Sequence, residues 1–65
     1  MNIDIGSKIK TLRLSKSMTQ EQLAKALHVS AQAVSKWENG AGLPDITVLP
    51  ALAELYGVTA DDILA

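Results

Sequence analysis

Apolar residues recur along this chain at intervals of three and four. Ile5, Ile9 and Leu12 form one stripe, and Leu23, Ala24 and Leu27 form a second. Val34 and Trp37 make a third, and Leu49, Leu52, Ala53 and Tyr56 a fourth. This spacing places each set on one face of an α-helix, whereas a half-buried strand would alternate every second residue. Start and stop residues between the stripes predict five short helices and an all-α fold.

The first helix is expected from about Asp4 to Ser15, with Asp4 as its N-cap and with Lys8, Lys10 and Arg13 projecting away from the stripe. The second runs from Thr19 to Leu27. Thr19 and Gln22 have capping-box spacing, in which each side chain bonds the other's backbone amide. The third runs from Ser30, its cap, to Glu38, and Gly40 supplies a left-handed stop. Only His28 and Val29 separate the second and third helices. His28 is expected to be left-handed, a conformation that His accepts more readily than a β-branched residue. Val29 then fills the corner, and Ala24 is small enough for the third helix to cross there. The fourth helix is expected from near Asp45 to Gly57. Pro50 is tolerated only in a first turn, so this helix begins near Thr47 or bends as it starts. A brief fifth helix runs from a Thr59 cap through Asp61 and Asp62 to Leu64, with its acids where the helix dipole favours them.

Composition narrows the chemistry. Sixty-five residues form one domain, 1–65, whose core must be aliphatic: there is no Phe, one Trp and one Tyr. A domain of this size buries only about 60% of the surface of its unfolded chain. With no Cys and His28 as the single His, disulfides, zinc fingers, iron–sulfur clusters and thiol catalysis are excluded, and no metal or cofactor is expected. No paired-carboxylate cleft, activated nucleophile or phosphate-cradling loop can be assembled, so the chain does not read as an enzyme. No run of about 18 apolar residues is available to span a membrane. The first ten residues, with charges scattered among them, do not read as a secretory signal, so a cytoplasmic location is expected.

Charge is divided unevenly. Residues 1–40 hold all six bases (Lys8, Lys10, Arg13, Lys16, Lys25, Lys36) and three acids (Asp4, Glu21, Glu38), a balance of +3. Residues 41–65 hold four acids (Asp45, Glu54, Asp61, Asp62) and no base, which brings the chain to −1. Such asymmetry points to an anionic partner for the first part.

The stretch TQEQLAKALHVSAQAVSKWENG, about 19–38 for its two helices, resembles the helix-turn-helix of the Cro and phage-repressor type, the xenobiotic-response-element (XRE) family. KIKTLR is similar to that family's first helix, and LPALAELYGVTADDIL to its fourth and fifth. The resemblance implies a compact five-helix, lambda-repressor-like domain of a bacterial or phage transcriptional regulator, with a repressor as the expected sense. It implies that the third helix enters the major groove of a double-stranded DNA operator. Gln20 matches a phosphate-contacting glutamine. Ser30, Ala31, Gln32, Ser35 and Lys36 fall on the base-reading face. Asn39 matches a phosphate contact just beyond it, and Lys36 can serve phosphate as well. Arg13 and Glu38 match a partly buried structural ion pair.

Residue chemistry agrees in part. Gln32 offers a donor and an acceptor to an adenine edge, and Lys36 donates to guanine or phosphate. Ala31 departs from the long polar residue common in relatives and offers only apolar contact, such as to a thymine methyl. Ala41 and Gly42 replace basic loop residues, so fewer phosphates are neutralised and salt dependence is shallow. One short helix reads few bases, so a pseudo-palindromic operator and a weak homodimer through helices four and five, formed mainly on DNA, are expected. The competing reading is a protein-interaction module that uses the same scaffold without specific DNA binding.

Overall fold

The computed structural model describes residues 4–59 and 62–63. Four helices lie among them: α1 (Ile5–Ser15), α2 (Gln20–Leu27), α3 (Ala31–Asn39) and α4 (Val48–Tyr56). No strand occurs among the described residues. The architecture is thus all-α, with four described helices where the sequence suggested five. Of the segment expected as a fifth helix, Asp62 and Ile63 are helical, while 60, 61 and 64 lie outside the described residues. Thr59 and Asp62 cap that segment reciprocally. The Asp62 amide donates to Thr59 Oγ1 at 3.1 Å, and the Thr59 amide to Asp62 Oδ2 at 3.0 Å.

Local signals set the boundaries. Asp4 accepts the Ser7 amide at 3.0 Å and the Ser7 hydroxyl at 2.7 Å, which starts α1. The Thr19–Gln22 capping box starts α2, and Ser30 Oγ, accepting the Ala33 amide at 3.1 Å, starts α3. His28 ends α2 with φ 59° and ψ 40°, the left-handed geometry expected of it. Gly40 and Gly57, with φ 76° and 68°, end α3 and α4. In α4, Thr47 is the N-cap position but makes no side-chain capping bond. Asp45 organises the approach instead, accepting the Thr47 amide and hydroxyl at 3.1 and 3.2 Å. Pro50 is the third residue of α4, inside the first turn, where its missing N–H has no intrahelical partner to lose.

The core is one cluster. Ile9, Leu23, Val34, Leu52 and Ile63 are fully buried, joined by Ala24, Leu27, Trp37, Ala53 and Tyr56. α3 packs against both α1 and α2, and α4 packs against α2. The α1–α3 contact is tight at Gly6. A Cβ there would lie 2.2 Å from the Trp37 carbonyl oxygen and 3.1 Å from that of Glu38. Arg13, off the apolar stripe, is buried and paired with Glu38, while Lys10 is exposed and Lys8 is half-buried with its Nζ donating to the Asp62 carbonyl at 2.7 Å. The Arg13 guanidinium can leave water because three of its N–H groups find oxygen partners within the fold.

Candidate nucleic-acid interface

Two helix starts and the outer side of α3 make up the candidate surface. At the start of α2, the capping box occupies the amides of Thr19 and Gln22, while those of Gln20 and Glu21 have no hydrogen-bond partner among the described residues. At the start of α3, Ser30 is exposed and its hydroxyl already caps Ala33. Gln32 and Lys36, one turn apart, are exposed, and their side chains make no hydrogen bond or ion pair among the described residues. Ala31 is half-buried and packs against the core, so part of its methyl faces inward. Ser35 is also half-buried, and its hydroxyl accepts from Asn39 Nδ2 at 3.4 Å. Asn39 is exposed and forms the last residue of α3 rather than following it.

A polar network ties this surface together. Arg13 Nε donates to Glu38 Oε2 at 2.8 Å, and Arg13 Nη2 to Glu38 Oε1 at 3.0 Å. This is a bidentate pair, a geometry that suits the planar guanidinium. Arg13 Nη1 donates to the Met18 carbonyl at 2.9 Å. Gln20 Nε2 donates to Glu38 Oε1 at 3.1 Å. The side chains of Arg13 and Glu38 are 11% and 3% exposed, so the pair is nearly dry. Burial alone would raise the Glu38 pKa. Hydrogen bonds from Arg13 and Gln20, with the charges of Arg13 and Lys10, outweigh that and hold it below its ordinary value. The bond to Glu38 raises the Arg13 pKa in turn.

Several features have only faint sequence signals. Gly6 is a lone glycine in a helical stripe, a pattern that often marks close packing. The Gln20–Glu38 bond joins residues eighteen positions apart, and no local pattern encodes it. Leu43 and Ile46, in the α3–α4 loop, are 76% and 78% exposed. Among the described residues no group of three or more His, Cys, Asp or Glu is placed to hold a metal. No described helix is long and apolar enough to cross a membrane.

Two helices joined through a left-handed residue, with the second presenting an exposed polar face, define the helix-turn-helix class. The helix-turn-helix family model matches residues 9–63, and the chain belongs to that family, in its XRE-type branch. It is 41% identical over 63 residues to the HTH-type transcriptional activator BcrR of Enterococcus faecalis, covering 97% of this chain and 31% of BcrR. It is 41% identical over 54 residues to the HTH-type transcriptional regulator DicA of Escherichia coli (strain K12), covering 83% of this chain and 40% of DicA. The chain therefore spans well under half the length of either relative. Among solved structures, it is similar to the P22 c2 repressor protein in complex with a synthetic operator. That match has a TM-score of 0.86 and 30% identity, and covers 92% of this chain and 91% of the repressor chain.

Proposed function

We propose that this domain binds double-stranded DNA with sequence preference, as the DNA-contacting part of a transcriptional regulator, by laying α3 in the major groove. The observation that carries the reading is the Gln20–Glu38 bond. It fastens the start of α2 to α3, so a phosphate-side group and a base-side helix are held in one register. Gln20 spends one amide hydrogen on Glu38 and keeps the other for a phosphate, beside the two open amides of α2. Gln32 reads an adenine edge through its donor and acceptor. Lys36 donates to guanine or to phosphate, Ser30 and Ser35 hydrogen-bond at close range, and Asn39 meets the backbone at the end of α3. Ala31 contributes apolar contact only. The Arg13–Glu38 pair touches no DNA and keeps the network in place.

Two copies on a pseudo-palindromic operator, with half-sites about 34 Å apart, supply the bases that one short helix cannot read. The exposed Leu43, Ile46 and Leu55 offer apolar surface for a weak contact between copies, formed mainly on DNA. Repression is the expected sense, because occupying DNA is enough to exclude a competitor from the same site. The chemistry is binding, with no catalytic step, in whatever compartment holds the DNA.

The test is selection of bound duplexes from a random pool, followed by salt titration of the winner. Affinity should fall as salt rises, with a shallow slope, while sequence preference survives at moderate salt. In the same assay Gln32→Ala should relax preference at one base pair by about 1–3 kcal/mol. Lys36→Ala should weaken all duplexes alike if it meets phosphate, or shift preference if it meets guanine. Absence of binding to any duplex at low salt would refute the reading and leave the protein-interaction module in its place.

A further inference from the structure

One part-buried hydrogen bond of the fold ends on sulfur, at Met18. Tyr56 is 8% exposed, and its hydroxyl donates to Met18 Sδ at 3.8 Å. A thioether is a poor acceptor, and no better partner for this phenol occurs among the described residues. Burial pushes the phenol pKa up, so the group stays a neutral donor. Met18 itself is firmly held. Its amide donates to the Arg13 carbonyl at 3.1 Å, and its carbonyl accepts from Arg13 Nη1 at 2.9 Å. Its side chain is only half-buried, and with Arg13, Leu14, Ser17, Thr19 and Gln20 it lines an open surface depression. Met18 thus lines a solvent-reached hollow while its sulfur meets a buried donor that lacks a strong acceptor.

We infer that Met18 is a modification site: a peroxide oxidises it to the sulfoxide, and the Tyr56 hydroxyl receives the new oxygen. The sulfur lone pair takes the terminal oxygen of hydrogen peroxide, and the O–O bond breaks. The thioether loses two electrons and becomes a sulfoxide. The peroxide leaves as water, with the proton of the transferred oxygen passing to the departing hydroxide. Added to the lone pair that faces the hollow, the oxygen is brought by rotation about the Met18 Cγ–Sδ bond within ordinary O–H···O reach, about 2.7–2.8 Å, of a phenol that now stands 3.8 Å from the sulfur. A strong acceptor then replaces a weak one. Methionine oxidation usually damages a core by placing a polar group in it; here the polar group meets a waiting donor. This inference is independent of the DNA reading.

The experiment treats the whole chain and its Tyr56→Phe variant with hydrogen peroxide. Peptide mass mapping then locates the added oxygen, with Met18 and Met1 scored separately, and thermal unfolding is measured. Met18→Leu serves as the unoxidisable reference. Met18 should gain one oxygen in both oxidisable proteins. The oxidised wild type should melt at or above its reduced form. Oxidised Tyr56→Phe should melt at least about 4 °C below its own reduced form, since the sulfoxide oxygen there is placed against the core with no donor, and an unmet polar group in a domain this size shifts Tm by about that much. Two results would each overturn the inference: Met18 resists peroxide that oxidises free methionine, or oxidation lowers the wild-type Tm as far as it lowers that of the phenylalanine variant.

Discussion

Replacing Gly6 by alanine sets two effects of opposite sign against each other. In an exposed helix the change stabilises, because alanine gains about 0.5–1 kcal/mol over glycine in helical backbone. Gly6 is buried in the first turn of α1, facing the last turn of α3. The added Cβ would stand 2.2 Å from the Trp37 carbonyl oxygen and 3.1 and 3.2 Å from the carbonyl oxygen and carbon of Glu38. All three atoms are backbone, so no side-chain rotation relieves the clash, and α1 must move off α3. Overpacking of this kind costs about 1–3 kcal/mol, and a clash with rigid backbone belongs at the upper end. The net expectation is a loss of about 2–2.5 kcal/mol, at about 4–8 °C in Tm for each kcal/mol. Thermal and urea unfolding, followed by helical circular dichroism, would measure it. A Gly6→Ala variant as stable as wild type or more so would refute the tight α1–α3 contact and restore the ordinary propensity argument.

Glu38→Gln keeps the shape of the side chain but leaves the Arg13 charge unpaired in a nearly dry site. Breaking a buried pair costs about 3–5 kcal/mol, and whole domains of this length are stable by roughly 3–10 kcal/mol, so unfolding midpoints in urea should fall sharply. The same carboxylate sets an acid limit. Its folded pKa lies below its unfolded one, so its stabilisation is full above the unfolded value and is lost as pH falls through the folded value. Stability measured from pH 7 downward should hold until about pH 5 and then decline, with a smaller decline in Glu38→Gln. His28→Val should lower stability by about 1–2 kcal/mol, because a β-branched residue resists the left-handed region, whereas His28→Gly should be near neutral. Equal melting temperatures for these two variants would rule out conformational strain at the turn.

What was legible in the sequence was local. Asp4, Thr19 with Gln22, Ser30, Gly40 and Gly57 act within a few residues of themselves, and each stands at the helix boundary its chemistry suggests. The left-handed His28 followed from having two residues in which to turn the chain. Arg13 shows where periodicity stops: it lies off the apolar stripe, and its burial against the distant Glu38 is legible only through the resemblance to the family, not from spacing. The half-burial of Ala31 and Ser35 depends on how α3 is rotated against α1 and α2, which no spacing within α3 determines. Leu43 and Ile46 were illegible for a related reason, since apolar residues in a loop carry no period from which to infer a buried face.

The shared Glu38 acceptor also gives the domain a built-in spectroscopic probe. Because Gln20 Nε2 donates to a shielded carboxylate, the two hydrogens of that amide occupy different surroundings. One is held against Glu38 and should exchange slowly with solvent, and the other is left to water. Their two signals in an amide-nitrogen spectrum should therefore lie further apart than those of a solvent-exposed glutamine, even in the free protein. Titrating in a duplex should shift the outward hydrogen first, which would report the arrival of a phosphate at α2 separately from any contact made by α3.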